Sequence, residues 1–180
     1  MISDAKTQNV IVVVTLLVAL VSGGALYNTT AYYGGSYIIV TYLDVNLTNV
    51  VVTNLDPTNM TVNPAVSLVF NFKAPEALSG HATLTSLTAK VWLNYDSLSY
   101  TNFRYTIPAD SRTVASGYDR NFTVHGTITE LADKYVLYNA SASSQWVFSI
   151  RLTLFYHVFE SSAESVRVLM FAHEGVELVP

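Results

Sequence analysis

One uninterrupted apolar run stands near the start of the chain, and shorter alternating patterns follow it. The run covers residues 10–27 and contains no charged side chain. About 20 apolar residues in an α-helix cross a hydrocarbon layer of about 30 Å. The pattern therefore predicts one transmembrane helix over residues 10–30, and no later segment of the sequence is apolar over such a length.

The flanks of this run predict its orientation. Lys6 precedes the run, and the next basic residue along the chain is Lys73. Several tyrosines follow the far end, and tyrosine favours the membrane–water interface. The positive-inside bias then predicts that residues 1–9 lie in the cytoplasm and that the rest of the chain lies outside the cell membrane.

A second interpretation of the same run is a cleaved secretory signal. The small residues Ser22, Gly23, Gly24 and Ala25 offer a place where a signal peptidase would cut. The apolar run is longer than the 7–15 residues typical of a signal core, which favours a retained anchor. In both interpretations the downstream chain is exported.

After the run the pattern changes to that of β-structure. Gly34-Gly35 predicts a flexible linker over residues 31–36, so that residues 37–180 form one domain. Alternation of apolar and polar residues with a period of two is clearest over residues 87–95 and 146–158, which is typical of half-buried antiparallel strands. Further strands are predicted at residues 36–53, 60–62, 66–72, 98–106, 122–128 and 166–172, with one short helix at residues 130–138.

About eight short strands separated by turn signals predict an all-β fold, an antiparallel β-sandwich that follows one amino-terminal transmembrane helix. About 150 residues remain after the anchor, which is enough for one domain with an ordinary core. At Gly126, inside a predicted strand, we expect a bulge or a close neighbour.

Several segments resemble the late-embryogenesis-abundant group-two domain, also called the water-stress and hypersensitive-response domain. These are Asn63-Pro64 ahead of VSLVFNF, the hairpin KVWLNYDSLSY, the segment TVASGYDRNFTVHGTI and the closing GVELVP. The resemblance implies a small immunoglobulin-like or fibronectin-like β-sandwich, in many members placed after a single membrane helix. It implies no catalytic residues.

Composition narrows the classes of function. Charged residues make up 12% of the chain and the net charge is −4, so no basic stripe is present for nucleic acid or anionic lipid. The absence of cysteine from the sequence excludes disulfides, thiolate metal sites and thiol nucleophiles.

Five Asn-x-Ser/Thr sequons predict a surface glycoprotein, and they favour a eukaryotic source or one among the archaea. The acceptors are Asn28, Asn46, Asn59, Asn121 and Asn139.

Candidates for chemistry are few. Among the four histidines, His125 and His157 lie on predicted strands, and the fold would have to bring them together to make a metal site. No His-x-His or His-Glu-x-x-His spacing occurs, and no pair of carboxylates has a spacing that places a general acid and a general base together. We therefore expect single structural histidines, no catalytic residues and no cofactor.

Two features predict contact with other proteins. Ala19 and Gly23 form a small-xxx-small pair, and with Ser22 and Ala25 they would allow another helix to approach closely. In the domain we expect the aromatic side chains of Trp92, Phe155 and Phe171 on outward faces, where they would suit a partner.

The sequence thus favours a non-catalytic, single-pass membrane protein that presents a β-sandwich for contact with other membrane or surface proteins, or with copies of itself, as an accessory subunit. One alternative is a free-standing, stress-protective surface domain of the desiccation type. Another is a pilin-like filament subunit in which residues 10–27 form the core of a polymer. An enzyme is the remaining class, and no residue pattern favours it.

Overall fold

The computed structural model describes residues 5–99, 103–159 and 163–179. Within these residues the chain forms a long amino-terminal helix, two β-sheets and a shorter helix between two of the strands. The fold is thus mostly β with one apolar helix ahead of it, as the hydrophobic pattern predicts.

The amino-terminal helix, α1 (Ala5–Thr41), has 37 residues and is about 55 Å long at about 1.5 Å per residue. It is long and apolar enough to cross a membrane. It also continues through residues 31–36, so the prediction of a flexible linker there is wrong. The predicted strand at residues 36–53 is wrong in its first part, because the chain stays helical to Thr41.

The domain contains ten strands among the described residues, and a second helix, α2 (Leu131–Ser143), joins the seventh strand to the eighth. The strands are β1 (Asp44–Thr53), β2 (Ala65–Lys73), β3 (His81–Leu93), β4 (Asp96–Ser97), β5 (Arg104–Thr106), β6 (Thr113–Ala115), β7 (Asp119–Thr127), β8 (Val147–His157), β9 (Ser165–Glu174) and β10 (Glu177–Val179).

The strands form two sheets. The first has the order β10-β1-β2-β7. Its pairs are antiparallel except for β1 and β10, which run parallel, a departure from the wholly antiparallel prediction. In the second sheet β3 is central, with β8 and then β9 on one side. Along its other side β3 pairs in turn with the short strands β6, β5 and β4.

The inner faces of the two sheets share one hydrophobic core. Leu68, Phe70 and Phe72 of β2 are fully buried, as their common face predicts. Across the core, the rings of Phe70 and Phe171 lie 5.4 Å apart. The alternation predicted for β3 also holds to Leu93. Tyr95, predicted on the same face, lies instead in the turn after β3 with a positive φ of 75° and is exposed.

Residues 60–62 form a turn instead of the predicted strand. The side-chain oxygen of Asn59 accepts hydrogen bonds from the amide of Thr61 at 3.1 Å and from its hydroxyl at 2.6 Å. Asp56 and Thr58 repeat this arrangement, and the two hydrogen bonds from Thr58, the hydroxyl bond first, lower the pKa of the Asp56 carboxyl. Such local side-chain hydrogen bonds compete with strand pairing, and here the turn forms in place of the predicted strand.

Gly126 meets the expectation of a close neighbour. A Cβ atom at this position would lie 2.7 Å from the ring of Phe103, which is fully buried. Glycine therefore lets the β7 backbone lie directly against an aromatic ring of the core.

Tyr118 ties the connection between β6 and β7 to its surroundings. Its hydroxyl donates to the carbonyl of Ser111 at 2.8 Å, and its own carbonyl accepts from the amide of Ala74 at 2.9 Å. Partial burial, the largest cause, raises the pKa of the Tyr118 phenol to about 12. The phenol therefore stays a hydrogen-bond donor throughout the ordinary pH range.

The predicted short helix is confirmed as α2 and is longer than predicted. Two buried charged side chains fix it to neighbouring loops. Asp133 accepts a hydrogen bond from the amide of Ser99 at 2.9 Å, and the Lys134 ammonium donates to the carbonyl of Met60 at 2.8 Å. These bonds satisfy polar groups that would otherwise be costly to bury.

Tyr138 of α2 carries the one buried side-chain polar atom without a hydrogen-bond partner among the described residues, its hydroxyl oxygen. We expect Tyr138→Phe to raise the free energy of unfolding by about 1 kcal/mol, because the variant no longer buries an unpaired hydroxyl. Tyr135→Phe, at an exposed position of the same helix, is the control and should be neutral. Denaturant unfolding followed by tryptophan fluorescence measures both, and a destabilised Tyr138→Phe would contradict the prediction.

Candidate functional site at the helix–domain junction

The end of α1 is docked on the domain, and the rest of α1 is not. Every residue from 7 to 30 is exposed, and burial begins at residue 31. Gly35, Ser36 and Ile39 are buried on one helical face, followed by Leu43 just after the helix. We call the contact between residues 32–43 and the domain the junction.

Two glycines allow the backbones of the helix and the domain to touch at the junction. A Cβ atom on Gly35 would overlap the carbonyl oxygen of Ser79. Gly80 has a positive φ of 93°, and a Cβ atom there would lie 2.5 Å from the carbonyl oxygen of Tyr32. Both positions therefore require glycine, the second for its conformation as well as for space.

A buried hydroxyl joins the two backbones. Ser36 is fully buried, and its hydroxyl donates to the carbonyl of Tyr32 at 2.9 Å and accepts from the amide of His81 at 3.1 Å. The first amide of β3 is thus hydrogen-bonded directly to α1. The ring of Tyr32 also packs edge-on against the ring of His81, with centroids 5.7 Å apart.

Apolar packing completes the docked face. Ile39 and Leu43 are 0% and 5% exposed and lie in a socket formed by side chains of β3, β6 and β8. A small cavity of about 10 Å³ remains beside them, at the lower limit of the space that one water molecule needs. The socket is lined by Ala82, Leu84, Val114, Leu154 and Tyr156.

Arg167 of β9 closes the end of the helix. Its guanidinium donates to the carbonyl of Val40 at 3.1 Å and to the carbonyl of Leu43 at 3.0 Å. The last carbonyls of a helix have no partner within the helix and carry the negative end of its dipole. The cation therefore satisfies these acceptors and favours termination of α1 at this point.

Sequence reasoning missed the junction because it interpreted Gly34-Gly35 as a flexible break. The overlooked signal is the four-residue spacing of Gly35, Ile39 and Leu43, which places a small residue and two apolar ones on one helical face. That spacing is typical of a docked helix.

The residues predicted to pack against another helix lie on the exposed part of α1. Ala19, Ser22, Gly23 and Ala25 are all exposed, and a Cβ atom on Gly23 would meet nothing within 4 Å. This face is open to lipid or to a second helix, and the packing role stays a prediction.

All five sequon asparagines are exposed. Asn28 is helical and lies just before the junction. Asn46 and Asn121 are on strands, Asn59 is in the turn described above, and Asn139 is on α2. Exposure permits modification of the four asparagines in the domain, whereas Asn28 falls within residues 10–30, the predicted membrane span. Modification itself stays a prediction.

His125 and His157 do not form a joint site, so the hypothesis of a metal centre built from both is wrong. His125 is exposed on the outer side of β7 in the first sheet, where its Nδ1 shares a hydrogen bond of 2.9 Å with the hydroxyl of Ser67. His157 lies at the end of β8 in the second sheet, at an outward register position. The hydrophobic core lies between the two outer faces.

Two of the three aromatic residues expected on outward faces are there. Trp92 lies on the outer side of β3, with the ammonium of Lys90 5.0 Å from its ring centroid. Phe155 lies outward on β8, opposite Val166 of β9. Phe171 is on the inner side, against Phe70, so that expectation was wrong.

The outer side of β9 carries an apolar row that the sequence analysis did not single out. Val166, Val168 and Met170 are exposed by 54%, 43% and 65%, and we call them the β9 outer row. In the described part of the chain β9 pairs only with β8, so its other edge is unpaired. An apolar row beside an unpaired edge is a surface that readily takes a partner.

Comparisons with known proteins give a likeness to a solved structure. No family model matches the chain, and no curated protein matches it. A crystal structure of a protein from Archaeoglobus fulgidus is similar, with 11% sequence identity and a TM-score of 0.43, over 75% of this chain and 100% of that one.

The adjacent glycines of α1 give a matched test of the junction. We expect Gly35→Ala to lower the free energy of unfolding by about 1–3 kcal/mol, because the added methyl group forces two backbones apart. Gly34→Ala should cause no loss, since nothing lies within 4 Å of its Cβ position. Unfolding of the full chain in detergent micelles, followed by fluorescence of Trp92 and Trp146, measures both. Equal midpoints for the two variants would show that the backbones do not touch.

Arg167 is tested against an arginine outside the junction. We expect Arg167→Met to lower the free energy of unfolding by about 1.5–3 kcal/mol, the range for hydrogen bonds to a charged group, and to speed amide exchange near residue 43. Arg151→Met, on the exposed outer side of β8, should leave exchange there unchanged. Hydrogen–deuterium exchange read by mass spectrometry compares them, and equal exchange in both would contradict a capping role.

Proposed function

We propose that this protein is a non-catalytic, single-pass membrane protein that presents a β-sandwich with an immunoglobulin-like or fibronectin-like arrangement outside the cell. Its role is that of an accessory or structural subunit of a membrane or surface assembly. Its contacts are membrane lipid and other membrane or surface proteins, copies of itself included, and neither nucleic acid nor a cofactor is part of the proposal.

The exposed part of α1 supports the membrane anchor. Its large apolar side chains are exposed throughout residues 10–27. Leu20, for example, is 72% exposed. Contact with water would cost about 25 cal/mol for each Å² of this apolar surface. A hydrocarbon layer removes that cost, and the charge bias around the helix favours residues 1–9 inside.

The observation that carries the proposed role is the junction itself. A domain on a flexible stalk samples many orientations, whereas the direct contacts at Gly35, Ser36 and Ile39 hold this domain at one height and one tilt relative to the helix. Holding a surface in place before it meets a partner reduces the entropy lost on binding. A subunit that binds its neighbours at a defined distance from the membrane would lose less entropy on binding if its domain were docked on the helix in this way.

The β9 outer row is the surface that we assign to the partner. Its valine and methionine side chains are apolar and exposed, and the edge beside them is unpaired. The exposed sequon asparagines lie on other elements, namely α1, β1, β7, α2 and the turn after β1. Glycans at those positions would therefore leave β9 itself unmodified.

A pilin-like filament subunit is the second candidate, and the continuity of α1 favours it. A core helix of a polymer must be unbroken from the packed segment to the displayed domain, and α1 is unbroken from Ala5 to Thr41. The small residues Ala19 and Gly23 would then face neighbouring copies. A free-standing, desiccation-type domain, which the resemblance to the late-embryogenesis-abundant group-two domain suggests, would use the same anchor without a fixed partner.

Native electrophoresis distinguishes these functions. Membranes of the source organism are extracted in mild detergent, and the proteins that migrate with this chain are identified by mass spectrometry. We expect other membrane proteins in a fixed ratio, and an amino terminus retained ahead of Ser22. Migration as a lone monomer would instead support the free-standing domain, and a ladder of the chain alone would support the filament.

A pair of variants tests the assigned surface in the same experiment. Val168→Asp places a charge in the β9 outer row and should abolish co-migration. Thr127→Asp places the same charge on an exposed strand position of the other sheet, outside every sequon, and should leave co-migration intact. Loss of the complex in both variants, or in neither, would contradict the assignment to β9.

A further inference from the structure

We infer that the loop of residues 74–80 is a second membrane contact, with Leu78 inserted into the headgroup layer of the bilayer that holds α1. The inference rests on the proposed membrane anchor and goes beyond it, because it assigns a lipid contact to the β-domain.

The order of contacts at the junction places this loop at the end of the domain nearest to the membrane. Gly35 of α1 meets Ser79, and Ser36 meets Gly80 and His81. One turn and two turns later, Ile39 and Leu43 line one small cavity together with Ala82 and Leu84. The strand β3 therefore runs alongside α1 and away from the exposed part of the helix. The residues just before β3 are then the part of this strand region nearest to the membrane.

The depth of the loop follows from the rise of the helix. If the hydrocarbon layer ends near residue 30, Gly35 lies about 7.5 Å beyond it at about 1.5 Å per residue. The headgroup layer is about 5–8 Å thick on each side of the hydrocarbon core. Ser79 touches the helix at Gly35, so Leu78, its neighbour, lies within reach of that layer.

Leu78 and Tyr33 at this level suit the interface. Leu78 is 88% exposed although it is a large apolar residue. On another side of the helix, the ring of Tyr33 packs edge-on against the ring of Phe159, with centroids 4.9 Å apart. Aromatic side chains are enriched at this depth. The one charged residue of the loop, Glu76, is acidic and exposed, which favours uncharged or zwitterionic headgroups over anionic ones.

The loop is held in place by its own hydrogen bonds. The amide of Ala74 donates to the carbonyl of Tyr118 at 2.9 Å, and the amide of Ala77 donates to the hydroxyl of Ser116 at 3.1 Å. Leu78 is thus presented on an anchored loop. With α1 as one attachment and Leu78 as the other, the membrane itself limits the tilt of the domain.

Spin labelling tests the inference directly, because the sequence contains no cysteine. Nitroxide labels are placed in three single-cysteine variants of the full chain, Leu78→Cys, Val18→Cys and Tyr95→Cys, in phosphatidylcholine nanodiscs. All three positions are exposed in the structure, so labelling disturbs no core contact. Collision rates with oxygen, which concentrates in lipid, and with a water-soluble nickel chelate report the depth of each label.

Tyr95 is the matched control for Leu78. It is exposed by 93%, and it follows the far end of β3, about 40 Å from His81 at about 3.3 Å per residue. We expect the label at Val18 to report the hydrocarbon layer and the label at Tyr95 to report water. The label at Leu78 should be several-fold less accessible to the nickel chelate than the label at Tyr95.

The label at Val18 separates the two proposals. If Val18 is in lipid and Leu78 is as accessible to the nickel chelate as Tyr95, the loop contact is wrong and the membrane anchor stands. If Val18 is itself accessible from water, the proposed membrane anchor fails, and the loop contact fails with it.

Discussion

The close approach of two backbones, at Gly35 of the helix and Gly80 ahead of β3, is the contact on which the rest of the arrangement depends. Only glycine lets Ser79 reach the helix and lets the Ser36 hydroxyl bond the first amide of β3. Side chains at either position would hold the helix away from the domain. Ile39 could not then enter its socket, and Arg167 could not reach the end of α1.

The magnitudes explain why the chain remains helical through two glycines. Each glycine in a helix interior costs about 1 kcal/mol relative to alanine, so the pair weakens the helix by about 2 kcal/mol. Burial of Ile39 and Leu43 contributes about 1.5–3 kcal/mol for each side chain, and the hydrogen bonds of Arg167 add to this. Tertiary packing therefore outweighs the local preference for a break, and the helix continues to Thr41.

The same competition between local and tertiary terms recurs in the domain. Residues 60–62 have the composition of a strand, but the side-chain oxygen of Asn59 accepts two hydrogen bonds from Thr61, which hold a turn. Lys134 and Asp133 are charged, yet both are buried, because specific backbone groups of Met60 and Ser99 satisfy them. The docked helix end, the hydrogen-bonded loop of residues 74–80 and the apolar outer row on β9 are the features behind our proposal of a surface held at a fixed place above a membrane.

The sequence by itself determined the elements whose signal is local. The apolar run of residues 10–27 predicts, from its length and hydropathy, a helix long enough to span a membrane. The period of two predicts the inner faces of β2, β3 and β8, because burial on one face of a sheet repeats at every second residue. What only the tertiary structure decided depends on residues distant in sequence. Residues 31–41 stay helical because they contact Ser79, Gly80 and Arg167. His125 and His157 are separated because β7 and β8 belong to different sheets. Neither follows from a local pattern, since such contacts exist only once the two sheets have packed and the helix has docked.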